Sequence, residues 1–249
     1  MDYYINDYAW EKIYMFLTTV KGIHCRNSES LRTFIEGVYY VLRTGCQWRM
    51  LPKCYGHWRA VHKRFKHWAE RGIWEELMES VSDVDMQDAM IDSTIVRAHA
   101  CAAGYEKDGN AAQALGKSKG GFTTKIHVLV DALGLPIKFI LTGGQVHDST
   151  QSKDLLRDVS NANVVADKAY YSKDLHSFLF ERGCNVVIPP KSNAKEPHEY
   201  DKEIYKERHL IECFFSKLKH FRRVFSRFDK TTISFSGFLN IAGSLIWLR

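Results

Sequence analysis

The chain has 249 residues, of which 45% are hydrophobic, 26% are charged and only 5 are proline. This composition is typical of a folded globular protein and excludes collagen-like, mucin-like and largely disordered chains. The formal charge of +6, from 35 basic and 29 acidic residues, is compatible with a polyanionic partner such as nucleic acid.

The two ends of the chain predict a cytoplasmic protein without a membrane partner. Residues 1–10 lack the basic and apolar regions of a signal peptide. The longest apolar segment, residues 233–248, is interrupted by serine and asparagine and is shorter than the ~20 residues that span a bilayer. In a cytosolic chain we expect the six cysteines to be free thiols.

The first third of the chain has the periodicity of helices. Residues 31–43 and residues 58–68 place apolar side chains at intervals of three and four, and the second segment has a strongly basic outer face. We expect residues 1–84 to form a helix-turn-helix-like DNA-binding region with Lys63 and Arg64 as contacts. A small helical bundle with a basic surface is the alternative, because the connecting turn is longer than the usual ~3 to 4 residues.

From residue 85 the pattern changes to strands and helices in succession. A strand at residues 89–91 leads to Asp92, and a hairpin joins residues 122–130 to residues 137–141. The elements that follow are a helix at 150–159, a strand at 164–166, a helix at 172–182, a strand at 186–188 and a long helix from about residue 203. Over residues 85–249 this order predicts an α/β ribonuclease H-like fold, a mixed sheet with flanking helices.

Residues 102–121 are rich in alanine, glycine and lysine and predict a loop before the hairpin. Gly116, Lys117 and Ser118 resemble the end of a phosphate-binding loop, but Ala111 stands where that motif requires glycine. A flexible loop is the preferred interpretation; the alternative is that Lys117, Lys119 and Lys125 contact a phosphate backbone. These three lysines are therefore secondary candidates.

Two aspartates each follow an apolar strand. Asp92 comes after the first strand of the second region and Asp167 after the fourth. If the two strands are parallel neighbours, both carboxylates lie at the carboxyl edge of the sheet, where open sheets place their sites. The ordinary alternative for each is a turn or a helix cap.

A third acid lies on the predicted long helix. On a helical projection of residues 201–228, one narrow stripe contains Tyr205, Arg208, Glu212, Lys219 and Arg223. The opposite stripe is apolar and consists of Leu210, Phe214, Leu218, Phe221 and Phe225. The basic residues of this segment, with Arg222 among them, indicate a polyanionic partner. The alternative is an amphipathic helix in which Arg208 and Glu212 form an ordinary ion pair.

Asp92, Asp167 and Glu212 together would form a cluster of hard oxygen ligands. Such ligands suit Mg²⁺ or Mn²⁺. Two ions at such a site can activate the attacking oxygen and stabilise the leaving oxygen of a phosphodiester. We expect two divalent ions and no organic cofactor.

The spacing of four residues carries a family resemblance. Tyr205, Arg208, Glu212 and Lys219 reproduce the Y-(2)-R-(3)-E-(6)-K signature of insertion-sequence transposases with a DDE triad. The chain also resembles the insertion sequence five group, within the insertion sequence four superfamily, in the segments 43–52, 91–94 with 97–99, 120–127, 144–148, 166–170, 188–191 and 227–230. The resemblance extends from about residue 10 to the C-terminus.

The resemblance implies a function and a role for each matching residue. Asp92, Asp167 and Glu212 correspond to the catalytic, metal-binding triad of a DNA transposase. Such an enzyme cleaves double-stranded DNA at the terminal inverted repeats of its element and joins the freed 3′-hydroxyls to target DNA. Tyr205, Arg208 and Lys219 correspond to the residues that hold the element end.

The resemblance further implies a bacterial-type protein that binds DNA as a homodimer and is associated with the nucleoid when bound. Two positions depart from the group: His209 stands where asparagine is common and Cys213 where arginine is common. The roles of His99, His147 and Asp148 stay open, and Asp148 is also a candidate helix cap. The alternatives are a catalytically silent DNA-binding copy and another ribonuclease H-like nuclease.

Overall fold

The structure, a computed structural model, describes residues 5–103, 112–118, 121–192, 194 and 198–249. Its helices are α1 (Asp7–Thr19), α2 (Ser28–Thr44), α3 (Trp58–Glu70), α4 (Ile73–Val81), α5 (Ala100–Ala103), α6 (Ser152–Leu155), α7 (Lys173–Phe180), α8 (Lys202–Lys206), α9 (His209–Lys219), α10 (Arg222–Phe225) and α11 (Thr232–Trp247). Its strands are β1 (Asp88–Ala98), β2 (Gly116–Ser118), β3 (Gly121–Val130), β4 (Pro136–Gly143), β5 (Asn163–Ala166), β6 (Asn185–Val187) and β7 (Ser226–Arg227).

The chain divides into two compact units, each built from separate segments. Unit 1 consists of Met1–Ser82, Arg97–Gln113 and Lys217–Arg249, and unit 2 consists of Asp83–Val96 and Ala114–Ser216. This division differs from the predicted single boundary after residue 84. The last segment of the chain belongs to the unit that contains the N-terminal helices, because its apolar helix packs against them.

Unit 1 is organised around α11. This helix is apolar on all sides, and twelve of its residues are buried. It packs against α3 and α4. The ring of Phe238 stacks on Phe65 at a centroid distance of 4.4 Å, and Trp74 lies 5.8 Å from Phe65. A Cβ at Gly237 would lie only 3.1 Å from the Trp74 ring, so glycine permits this close approach. The apolar surface of α11 is thus covered within unit 1.

Side chains next to the N-terminal helices explain where these helices begin and end. Asn6 caps α1 by accepting a hydrogen bond from the Ala9 N–H, and Asn27 caps α2 by accepting one from the Ser30 N–H. Gly45 ends α2 with φ of 67°, a left-handed conformation that glycine adopts without strain. Within the described ranges, no helix combines the length and the apolar character needed to cross a membrane.

Unit 2 contains a mixed sheet. β1 pairs in parallel with β5, and β5 in parallel with β6. On the other side β3 lies next to β1 and pairs antiparallel with β4 and with the short β2. The order β4-β3-β1-β5-β6, with an antiparallel hairpin next to a parallel half, confirms the predicted ribonuclease H-like arrangement. The turn of the hairpin is held by buried Asp131, whose carboxylate accepts hydrogen bonds from the Leu133 and Leu135 N–H groups.

The predicted helix from about residue 203 to residue 228 is wrong as a single element. It is divided into α8, α9 and α10. At the first break the Arg208 N–H donates to the Tyr205 carbonyl, and at the second the Phe221 N–H donates to the Leu218 carbonyl. In both hydrogen bonds the donor and the acceptor are three residues apart, as in a 3-10 helix. They tighten the backbone and end the regular rotation of 100° per residue. Phe225, predicted on the buried face, is consequently 62% exposed.

The predicted helix at residues 150–159 is also shorter than expected. A 3-10 turn, Asp148–Gln151, leads into the four-residue α6. The core that α6 joins is continuous, and its buried members include Ile91, Leu155, Val164 and Leu179. This core lies on the face of the sheet that α6 and α7 cover, so it fixes the strand ends that carry the predicted acids.

The buried His127 of β3 makes the stability of the protein depend on pH. Its Nε2 lies 2.8 Å from the Thr142 hydroxyl, and burial, aided by the Lys125 charge, lowers its pKa to about 4. Because an unfolded histidine has a pKa near ~6.5, the unfolded chain binds the proton more readily. We expect the free energy of unfolding to fall by up to about 1.4 kcal/mol per pH unit as the pH drops from 6.5 towards 4.

Urea denaturation at a series of pH values measures this effect. The His127→Gln variant keeps an amide that can bond to Thr142 but does not titrate, so its unfolding free energy should depend less steeply on pH. An equal slope in both proteins would contradict the assignment.

Candidate active site

Asp92 and Asp167 lie side by side at one edge of the sheet. The parallel register of β1 and β5 pairs Ile91 with Ala166, and each aspartate is the next residue along its strand direction. Asp167 follows the end of β5, as predicted, whereas β1 continues beyond Asp92 to Ala98. Asp92 therefore follows the last residue of β1 that pairs with β5, but it does not mark the end of its strand.

Both aspartates are held by the backbone that follows them. The Asp92 Oδ1 accepts a hydrogen bond of 2.7 Å from the Ser93 N–H. The Asp167 Oδ1 accepts one from the Ala169 N–H and thereby caps the 3-10 turn Lys168–Tyr170. Burial raises the pKa of Asp92, and the negative charges of Asp167 and Asp148 raise it further. The arrangement concentrates negative charge in a partly buried place.

Glu212 is linked to Asp92 by Arg208. The Arg208 Nη1 lies 3.3 Å from the Asp92 Oδ2, and its Nη2 forms an ion pair with the Glu212 Oε1. One guanidinium therefore contacts two of the three predicted acids. Among the described residues, no three histidine, cysteine or acidic side chains are grouped closely enough to hold a metal ion. Arg208 thus links Asp92 to Glu212, and Asp167 lies beside Asp92.

Tyr205 and Tyr170 complete the surroundings of these acids. Burial raises the pKa of the Tyr205 phenol, which is also within electrostatic range of Arg208 and Asp167. The Tyr170 side chain is buried, and burial together with the Asp92 and Asp148 charges raises its pKa. Both phenols thus stay protonated beside the carboxylates.

A further ion pair, between Lys125 and Asp148, lies next to Asp92. The Lys125 Nζ lies 2.5 Å from the Asp148 Oδ1 and also donates to the Val146 carbonyl. The Ser93 hydroxyl donates to the same Asp148 oxygen at 2.7 Å. Lys125, a candidate contact for a phosphate backbone, is instead buried and paired. Asp148 is not the cap of the following 3-10 turn, because His147 caps it.

Replacing Lys125 by methionine tests how much this ion pair contributes to the stability of the protein. We expect the free energy of unfolding to fall by about 2 kcal/mol, because Asp148 loses a hydrogen bond to a charged donor while staying close to Asp92. Lys138→Met is the matched control on the next strand, where the lysine forms a longer, exposed ion pair of 3.7 Å with Asp158. Equal urea midpoints for the two variants would show that the buried pair contributes nothing.

The predicted DNA contacts in unit 1 divide into exposed and structural residues. Lys63, Lys219 and Arg222 are exposed. Arg64 instead lies over the ring of Phe34 at 4.3 Å, and burial lowers its pKa. Arg223 is 5% exposed, so its guanidinium is not available to a ligand in this structure. The helix-turn-helix-like role of this region stays a prediction.

Arg223 has a partner within unit 1. Its Nε and Nη2 donate to the two carboxylate oxygens of Asp229, at 3.0 and 2.8 Å. Its Nη1 donates to the Cys46 carbonyl. The projection that placed Arg223 beside Glu212 assumed an unbroken helix, and the break at Phe221 turns this residue into the core of unit 1.

The histidines that the sequence left open have local partners. His147 Nδ1 lies 2.8 Å from the Ser149 hydroxyl. His99 belongs to unit 1, where its ring packs 5.0 Å from the ring of Phe228. Neither contact involves the predicted triad.

Sequence reasoning missed the network of Ser93, Lys125 and Tyr170. One signal was present: Lys125 stands in a strand of mostly apolar and β-branched residues, and eight consecutive residues of that strand are buried. A lysine in such a strand requires an acidic partner. That partner is Asp148, which lies 23 positions away along the chain, so the strand pattern alone does not identify it.

Comparisons with known proteins agree with the geometry. Residues 85–232 match the family described as "Transposase DDE domain", and residues 5–78 match "Putative transposase of IS4/5 family". The chain is 39% identical over 131 residues to the "Putative transposase for insertion sequence element IS6501" of Brucella ovis, covering 51% of this chain and 99% of the relative. It is 31% identical to the "Putative transposase for insertion sequence element IS402" of Burkholderia cepacia, covering 49% of this chain and 62% of the relative.

Solved structures show a distant likeness. A piggyBac transposase synaptic complex with hairpin DNA gives a TM-score of 0.41 at 12% identity, covering 98% of this chain and 66% of that chain. A Mos1 transposase paired-end complex gives a TM-score of 0.28 at 10% identity, covering 80% of each chain. The family match over residues 85–232 extends over more than half of the 249 residues. The chain therefore belongs to the family of transposases with a DDE domain.

Proposed function

We propose that this protein cleaves DNA at the terminal inverted repeats of an insertion sequence and joins the freed 3′-hydroxyls to target DNA. The observation that carries the proposal is the placement of Asp92 beside Asp167, with Arg208 paired to both Asp92 and Glu212. Asp92 and Asp167 follow a register pair of neighbouring strands, and one guanidinium joins Asp92 to Glu212. The family to which the chain belongs supports the same reaction class.

The donor set fits divalent ions such as Mg²⁺ or Mn²⁺. Asp92, Asp167 and Glu212 offer only carboxylate oxygens, the ligands that these hard ions prefer. Burial raises the pKa of Asp92, and the Asp167 and Asp148 charges add to this rise, so a bound dication would stabilise the ionised form of Asp92. When bound, such ions lower the pKa of the attacking hydroxyl or water and stabilise the leaving oxygen.

The remaining residues of the signature would hold the DNA. A phosphate brought to a cluster of carboxylates is repelled unless cations accompany it. Arg208 supplies such a cation, and the Tyr205 phenol, which stays protonated, can donate a hydrogen bond to a phosphate oxygen. Lys219, the other basic residue of the signature, would contact the DNA backbone. Asp148 and Lys125 position Asp92 through Ser93 and do not contact the substrate. Because two element ends must be joined, we propose a homodimer on DNA, acting in the cytoplasm.

The test is a cleavage assay on DNA from the flanks of the reading frame. The purified protein with Mg²⁺ is expected to nick a duplex that contains the flanking inverted repeat and to leave a scrambled duplex of equal length intact. Binding without nicking, by folded protein, would favour a catalytically silent DNA-binding copy. Nicking of both duplexes alike, or preference for branched DNA or RNA hybrids, would favour a different ribonuclease H-like nuclease.

A further inference from the structure

Arg208 occupies an unusual position for a residue that is expected to bind DNA. Its guanidinium is engaged with Asp92 on one side and Glu212 on the other. Its side chain is only 21% exposed, whereas that of Glu212 is 58% exposed. In this arrangement Arg208 neutralises the carboxylates, and each of its two terminal nitrogens already has an acidic partner.

The acids of this neighbourhood outnumber the cations paired with them. Asp92, Asp148 and Glu212 share two cations, Lys125 and Arg208, while Asp167 lines a cavity together with Lys168 and Lys191. Carboxylates whose charge is only partly neutralised attract a divalent cation. The oxygens that would receive it are, however, partly occupied by the protein's own cation.

The two cations differ in how firmly they are held. Lys125 is 9% exposed at its side chain, lies within β3 and also donates to the Val146 carbonyl. Arg208 stands at the backbone break between α8 and α9, and the carboxylate of Glu212 is mostly in solvent. Arg208 can therefore leave its carboxylates by side-chain rotation, whereas Lys125 cannot leave without breaking a buried network.

We infer that Arg208 competes with divalent cations for Asp92 and Glu212, so that loading of the metal releases its guanidinium to a phosphate of the bound DNA. The inference rests on the proposed function, because it takes the three acids as the metal ligands. The metal and the DNA then assist each other. By thermodynamic linkage, the factor by which the metal strengthens DNA binding equals the factor by which DNA strengthens metal binding.

The first experiment measures metal binding by the full chain without DNA. Free Mn²⁺ is followed by electron paramagnetic resonance during titration of the wild type and of Arg208→Gln. Glutamine keeps a polar side chain but removes the competing charge, so we expect Mn²⁺ to bind about tenfold more tightly. Arg208→Lys, whose single ammonium cannot span both carboxylates, should lie between the two.

Two further variants separate failure of this inference from failure of the proposed function. Lys206→Gln removes an exposed cation two residues from Arg208 whose ion-pair partner is Glu203, and it should leave Mn²⁺ affinity unchanged. Asp92→Asn should weaken Mn²⁺ binding strongly. If Asp92→Asn binds Mn²⁺ as the wild type does, the triad assignment fails. If Asp92→Asn weakens binding while Arg208→Gln equals the wild type or binds more weakly, only the competition is overturned.

The second experiment measures the coupling itself. Binding of a duplex with the flanking repeat is followed by fluorescence anisotropy with and without Ca²⁺, an oxygen-binding dication. Ca²⁺ should strengthen DNA binding in every variant by neutralising carboxylates. The strengthening is expected to be about tenfold smaller in Arg208→Gln than in the wild type and in Lys206→Gln. Equal strengthening in all three proteins would overturn the inference.

Discussion

Replacing Asp167 by asparagine is expected to abolish DNA cleavage while leaving the fold and DNA binding intact. A neutral amide cannot replace a carboxylate that holds a divalent ion. Stabilisation of the reacting oxygens by such ions is worth several kcal/mol, so we expect the cleavage rate to fall by at least about a hundredfold. The asparagine oxygen can still accept the hydrogen bond from the Ala169 N–H, which preserves the 3-10 turn.

The matched control for this variant is Asp174→Asn. Asp174 lies in α7, is 79% exposed and pairs with Lys153 on the surface. The same chemical change there should leave the cleavage rate and the melting temperature unchanged. Wild-type cleavage by Asp167→Asn would show that the triad assignment is wrong, whatever the behaviour of the control.

The largest effect on stability is expected from Arg223→Ala. This substitution leaves Asp229, which is 6% exposed, as a buried charge without its bidentate partner. Breaking a buried ion pair from one side costs about 3 to 5 kcal/mol of unfolding free energy. The variant should therefore show a much lower urea midpoint, measured by circular dichroism.

The adjacent Arg222 provides the comparison. It is exposed, so Arg222→Ala should change the unfolding free energy by no more than about 0.5 kcal/mol. It should instead weaken DNA binding at all sequences and reduce the slope of log affinity against log salt by about one. Equal stability of the two variants would contradict the structural role of Arg223, and an unchanged salt slope in Arg222→Ala would remove Arg222 from the DNA contacts.

This pair of arginines shows why sequence reasoning succeeded in one place and failed in the next. The helical projection required one unbroken helix, and the chain breaks that helix at Glu207–Arg208 and at His220–Phe221. Residues up to Glu212 keep the predicted neighbours, since Arg208 contacts Glu212 four positions later. Arg223 lies beyond the second break, and its partners include the carbonyl of Cys46, 177 positions away.

The placement of Asp92 beside Asp167 was predictable because it depends on the pairing of two neighbouring parallel strands. Asp167 follows the end of β5, and the register of β1 with β5 brings Asp92 next to it, although β1 itself continues to Ala98. The Lys125 and Asp148 pair was not predictable in the same way. Its geometry depends on the hairpin of β3 and β4 returning the chain to the side of Asp92, and residue spacing does not encode that distance.

Taken alone, the amino-acid sequence determined most of the element types, the ribonuclease H-like order of elements along the chain, the position of Asp92 beside Asp167 and the spacing of the transposase signature, because these follow from periodicity and short-range pattern. The tertiary structure alone decided which cations are committed to which acids, and it joined α11 to the N-terminal helices in unit 1. Burial and charge pairing are set by side chains that are far apart in the chain and close in space. For that reason Arg208, Arg223 and Lys125, three similar basic residues, have three different roles.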